Sequence, residues 1–206
     1  MLTHEYPKTV ALKDGLKVVI RPLTHEDFDG LFAFFKALPE EDCIFLRHDV
    51  HDPELVRRWT DELNYASVIP LLALDGDDVV GNGSLHIMVH GWMRHVGHIR
   101  LVTARAYRHK GLGGLITREL VALATEREIE KMQAHVIEDN QPAVKMLQAF
   151  GFNIAAVLEG MVKDRGGRRR NLAIMVNDVS DLDRIMEEWI HDSILPSFRI
   201  PGGGEG

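Results

Sequence analysis

The residues best equipped for chemistry cluster in Arg108-His109-Lys110-Gly111-Leu112-Gly113-Gly114. Glycines beside basic side chains suit a polyoxygen anion. The backbone can approach a phosphate closely where no Cβ intervenes, and Arg108 and Lys110 add positive charge. Before this run, Val96–Thr103 places apolar Ile99 and Leu101 in alternation with polar residues, which predicts a half-buried strand. After it, Leu112, Leu115, Ile116, Leu120, Leu123 and Ala124 recur at helical spacing. A strand, a glycine turn and a helix bring unpaired N–H groups and the positive end of a helix dipole to the turn. Two phosphate motifs are excluded. No Gly-Lys-Ser/Thr follows at Walker spacing, and counting from Gly111 the third glycine of a dinucleotide fingerprint would fall on Ile116.

A second group with chemical potential is His86, His90, His95 and His98. Their spacings match no standard metal site, and no cysteine or glutamate motif accompanies them. They read instead as an exposed histidine-rich sheet face, and no metal is expected.

The elements that must position these residues follow in order. A polar leader ends at Asp14-Gly15, and Leu16, Val18 and Ile20 alternate as a first strand. Thr24 reads as an N-cap with Asp27 as its acidic partner, opening a helix whose stripe is Phe28, Leu31, Phe32 and Phe35. Pro39 closes it, and Glu40, Glu41 and Asp42 read as a solvated turn. Asp52 caps a second helix with Pro53 in its first turn and Leu55, Val56, Trp59 and Leu63 on its buried side. Val68–Leu74 and Val79–His90 form a hairpin around Asp75-Gly76-Asp77-Asp78, and Gly91–Arg94 turns into the strand carrying His98. The helix after the glycine loop ends near Arg127-Glu128. Met132–Ile137 is a strand with Glu138-Asp139-Asn140 at its end, and Gln141-Pro142 starts a short helix. Strands around Ile154–Met161 and Asn171–Val176 flank a basic hairpin, Lys163–Arg170, which reads as a solvated turn. Its alternatives are contact with a phosphate or with an acidic partner. Leu182, Ile185, Met186, Trp189 and Ile190 give a last helix an apolar face, and the glycine-rich end, Pro201–Gly206, reads as disordered.

Composition sets limits. The 206 residues, 45% apolar and 27% charged, suit one α/β domain with some elaboration. No apolar run approaches the roughly 18 residues of a membrane span, and the N-terminus lacks a signal-peptide pattern, so a cytoplasmic location without membrane contact is expected. The single cysteine, Cys43, excludes an internal disulfide. A net charge of −7 argues against nonspecific nucleic-acid binding and favours cationic partners such as amines.

Arg108-x-x-Gly111-x-Gly113 resembles the coenzyme A pyrophosphate loop of the GNAT N-acetyltransferase superfamily. Asn140-x-x-Ala143, running on to Gly151-Phe152, resembles that superfamily's second motif. Together they span Val96 to Val176. Lys17–Leu23, the Gly91–Arg94 turn and Met146-Leu147 resemble bacterial protein lysine acetyltransferase domains in particular. The resemblance implies an α/β (α+β) fold: a mixed, mostly antiparallel sheet of six or seven strands with helices on both faces, plus an extra C-terminal helix. Residues 1–179 would form the acetyltransferase domain, 180–195 the added helix, through which two copies could pair, and 196–206 a flexible tail.

The activity implied is transfer of an acetyl group from acetyl-CoA to a primary amine, on a protein lysine or a small molecule, by direct attack in a ternary complex. The alternative is an acyl-CoA-binding regulatory module with little or no turnover. The backbone of Leu101, Val102 and Thr103 would hold the pantetheine, while Arg108, His109, Lys110, Gly111, Leu112, Gly113 and Gly114, together with Asn140, would hold the rest of the cosubstrate. The family often carries a glutamate base ten residues ahead of the loop arginine, and His98 occupies that position. Its customary tyrosine is replaced by Leu147. Glu138, with Asp139 beside it, is the next candidate base. Within the resemblance, Glu40–Asp42 lies in the region that shapes the acceptor pocket.

Overall fold

Alternation along the strands gives the sheet two unlike faces, and both are covered. The computed structural model describes residues 5–43, 46–164 and 166–180. The last helix and tail expected from the sequence lie outside the described residues. In chain order the elements are β1 (Lys8–Ala11), β2 (Lys17–Pro22), α1 (Phe28–Lys36), α2 (Glu40–Cys43) and α3 (Pro53–Asp61), followed by β3 (Val68–Asp75), β4 (Asp78–Ile87) and β5 (Val96–Thr103). The chain then forms α4 (Leu112–Glu126), β6 (Lys131–Ile137), α5 (Gln141–Ala149), β7 (Asn153–Lys163) and β8 (Arg169–Asp178).

Among the described residues eight strands form one sheet, in the order β1-β2-β3-β4-β5-β6-β8-β7. All neighbours are antiparallel except β5 and β6. This is the mixed, mostly antiparallel sheet the resemblance implies, with eight strands in place of six or seven. The additional strand, β1, lies in the stretch read as a polar leader. Its edge position explains the weak pattern, and a side-chain pair anchors it: Lys8 Nζ lies 2.6 Å from the buried carboxylate of Glu119 on α4.

Helix α4 lies on one face. Leu112, Ile116, Leu120 and Leu123 are fully buried with Ile69, Leu71 and Ala73 of β3. Glycine on β4 permits this close approach: a Cβ at Gly83 would stand 2.4 Å from Ile116 Cγ2. On the opposite face, Leu31 and Phe35 of α1 and Val56 of α3 bury Leu72 and Leu74 of β3. The predicted caps form: Asp52 Oδ1 accepts from Glu54 N at 2.9 Å, and Asp27 Oδ2 accepts from Thr24 N at 2.7 Å. No helix among the described residues is long and apolar enough to cross a membrane.

One interruption positions the site. The parallel β5–β6 pairing runs from Val96↔Lys131 to Ile99↔Ala134 and stops. Beyond that point β5 stays on β4 as far as Thr103↔Gly81, while β6 stays on β8 as far as Ile137↔Leu172. The β5 edge at Leu101–Thr103 is therefore open toward β6.

Candidate active site

The glycine loop joins the open end of β5 to α4. His109 (φ 61°) and Gly111 (φ 91°) both take left-handed backbone, a conformation glycine adopts freely and histidine rarely. No side chain caps the N-terminus of α4, so the N–H groups of its first turn face outward without helical partners. Gly113 is open: a Cβ there would meet only Leu101 Cδ2, at 3.4 Å. Gly114 is not, because its Cβ would stand 3.0 Å from Phe150 Cζ. It packs closely against that ring. The Leu112 side chain is also in the core, so only its backbone can meet a ligand. Asn140 spends its Oδ1 on the N-terminus of α5, accepting from Ala143 N at 3.4 Å.

Carboxylates from three distant segments fix this loop. Asp42 Oδ2 accepts from Arg105 Nε and from Arg108 Nη2, both at 2.8 Å. Tyr107 Oη donates to Asp75 Oδ2 at 2.7 Å, and Lys110 Nζ lies 2.9 Å from Asp14 Oδ2. Two expectations are corrected here. Glu40–Asp42 is a short helix, not a solvated turn, and Asp42 is only 8% exposed because two arginines bury it. Arg108 and Lys110 are not free charges for a phosphate, since each already has a carboxylate partner. Arg105 and Arg108 share the Asp42 carboxylate at the base of the loop.

On the sheet face opposite α4 lies a cavity of about 610 Å³, roofed by α1, α3 and the segment after α2. Its floor carries Ser84 and His86 from β4, His98 and Arg100 from β5, and His135 from β6. The His98 and His135 rings meet edge to face with centroids 4.8 Å apart. His86 lies across the strand pair from His98, 3.0 Å from Ser84 Oγ. Arg100 Nη1 donates to His48 Nε2 at 3.1 Å, which places the His48 proton on Nδ1. Burial, with His135 and Arg100 nearby, pushes the His98 imidazole below its ordinary value. Burial also lowers His48 and His135, and takes His86 down to about 4. The neutral form of all four imidazoles is therefore favoured at pH 7.

These placements revise the reading of the histidines. His86 and His98 lie half-buried on a cavity floor, not on an exposed face, while His90 is exposed in the turn after β4. Among the described residues no three of His, Cys, Asp and Glu are grouped to hold a metal ion. Glu138 does not line the cavity; its Oε2 accepts from Asn171 Nδ2 at 2.8 Å. Leu147 is 4% exposed in the core and offers no hydroxyl. Arg170 of the basic hairpin is held by Asp164 and Asp139, at 3.0 and 2.6 Å, so it too is a partnered charge. Sequence reasoning missed Arg47, His48, Arg100 and His135. Arg100 carried a usable signal, standing two residues from His98 and so on the same strand face.

Residues 32–152 match the model of the acetyltransferase (GNAT) family. The L-amino acid N-acetyltransferase AaaT of Escherichia coli (strain K12) is 24% identical over 140 residues, covering 67% of this chain and 84% of that protein. Among solved structures, the ribosomal-protein-S5-alanine acetyltransferase of Vibrio fischeri superimposes with a TM-score of 0.71 at 14% identity, over 80% of this chain and 94% of that one. The GNAT domain of S. lividans PAT gives 0.69 at 19% identity, over 84% and 99%. The protein yncA of Salmonella typhimurium, solved with its cofactor acetyl-CoA, gives 0.66 at 16% identity, over 79% and 94%. At these identities the structural likeness speaks to the fold.

Proposed function

The chain belongs to the GNAT acetyltransferase family, and on that premise we propose that it acetylates a primary amine held in the histidine-lined cavity, with His98 as the base. The observation that carries this reading is the position of His98. It lies on the last paired stretch of β5, facing the cavity, one residue before the β5–β6 pairing ends. The open β5 edge at Leu101–Thr103 follows it along the strand and leads into the glycine loop.

The residues present fit acetyl-CoA. The uncapped first turn of α4 and the left-handed Gly111 suit the anionic pyrophosphate. The open β5 edge at Leu101–Thr103 can bond an extended amide chain as an added strand would. When bound, acetyl-CoA supplies the acetyl group as a thioester whose C–S bond breaks as the acceptor nitrogen bonds the acetyl carbon.

The chain must supply position and one deprotonation. A lysine-like amine at pH 7 lies about 3.4 units below its pKa, so exposing the neutral nucleophile costs about 4.6 kcal/mol. A neutral His98 accepts the amine proton, directly or through one water. With Leu147 buried, solvent delivers the proton that the departing thiolate takes up. The acceptor amine belongs to a protein lysine or to a small molecule.

Thiol release from acetyl-CoA, followed with mixed small amines and with proteins, tests the reading. Release that depends on an acceptor supports it. Acetyl-CoA binding without release under any acceptor would instead show a binding module. Comparing acetylated proteins in cells with and without the chain then separates protein from small-molecule acceptors.

A further inference from the structure

The charges in the cavity are out of balance. Among the described residues that line it, Arg47, Arg58 and Arg100 stand against one carboxylate, that of the exposed Glu62 just after α3, in a chain whose net charge is −7. The histidines are neutral and offset nothing. Four other partly buried arginines sit on carboxylates: Arg21 on Asp27, Arg108 on Asp42, Arg118 on Glu119 and Arg170 on Asp164. Arg100 does not. It is half-buried beside Arg47, and its bonding partner is the neutral His48. A cation withdrawn from water without a counter-ion is costly, and an anionic ligand removes that cost.

We propose that the acceptor is a small amino carboxylate, whose carboxylate binds Arg100 and Arg47 while its amine stands at His98. This rests on reading the cavity as the acceptor site. The spacing fits: residues two apart on one strand face are about 7 Å apart. An α-amino acid with a hydrogen bond at each end spans that distance. Leu31, Phe35, Trp59 and Leu63 on the roof can take an apolar side chain. A lysine side chain of a protein would bring a cation and no anion into a cavity that already has surplus positive charge.

Calorimetric titration of the full chain with CoA present tests this. The probes are L-leucine, L-phenylalanine and L-methionine, each paired with its carboxamide, and Nα-acetyl-L-lysine methylamide as a lysine model. At least one amino acid should bind about 10- to 100-fold more tightly than its amide, the range of a charge-assisted hydrogen bond. Arg100→Gln should erase that preference, and Arg100→Lys should keep part of it. Arg47→Gln, on an exposed residue whose loss does not threaten folding, should reduce it. Amides or the lysine model binding as well as the carboxylates, no carboxylate binding at all, or a preference that survives Arg100→Gln would each overturn the proposal. Thiol release is read on the same probes. Carboxylate-selective binding without release would sink the transfer reading, and with it the acceptor role, while leaving the carboxylate site at Arg100 and Arg47 standing. Release without carboxylate preference would do the reverse.

Discussion

Asp42 and Arg108, 66 residues apart in sequence, face each other in a two-pronged ion pair with contacts of 3.2 and 2.8 Å. The pair ties α2 to the glycine loop, and Arg105 joins it from the same loop. Burial pushes the Asp42 carboxyl up, but the hydrogen bonds from Arg105 and Arg108 prevail and hold it below the usual carboxylate range.

Asp42→Asn should therefore destabilise the fold at pH 7 by about 1–2 kcal/mol, the arginines being partly screened by solvent. The folded value is depressed, so the stabilisation is fully present above the unfolded value near ~3.9 and is lost as pH falls through the folded one. Denaturant unfolding should show a wild-type advantage at pH 7 that shrinks at pH 3. An advantage unchanged at pH 3 would mean that the pair is not its source.

The two adjacent loop glycines should fail differently. A Cβ at Gly113 meets only Leu101 Cδ2, at 3.4 Å, so Gly113→Val should keep the fold while blocking backbone approach to a phosphate. The rise in melting temperature that acetyl-CoA gives the wild type should then disappear. Gly114→Val drives a side chain into Phe150 and should cost about 1–3 kcal/mol of stability. Normal acetyl-CoA binding by the Gly113 variant would remove the loop from the cosubstrate site.

Restoring the family's tyrosine should not help. Leu147 packs in the core with Val144 and Phe152, so Leu147→Tyr overfills a closed space and should lose about 1–3 kcal/mol without raising turnover. A faster, equally stable variant would show that position 147 reaches the reacting atoms.

Local signals made much of this legible. The strand before the glycine loop, the helix after it, the Asp52–Pro53 start of α3 and the Gly76 hairpin all rest on neighbours within a few residues. What escaped depends on partners far along the chain. Three acids at 40–42 look like a solvated turn until Arg105 and Arg108 fold over Asp42. The alternation of β4 and β5 put His86 and His98 on definite faces. Whether those faces met water or a roof depended on α1 and α3, and on a β5–β6 register that brings His135 to His98. The edge strand β1 carried too little pattern to be seen, because its anchor is Glu119 on α4.

The central claim is that a neutral His98 takes the acceptor's proton. Burial, then His135, Arg100 and Arg47, hold its imidazole below the ordinary histidine value against an opposing hydrogen bond with Gln133, and His86 faces it across the strand pair. The most direct measurement is kcat/KM against pH for wild type and His98→Ala with one acceptor. The ratio of the two cancels the ionisation of the amine itself. That ratio should climb with pH through a midpoint below ~6.5 and level off at roughly 10²-fold, with acetyl-CoA affinity unchanged and His98→Glu retaining more activity than the alanine variant. A ratio of one across the pH range would show that His98 is only part of the cavity floor.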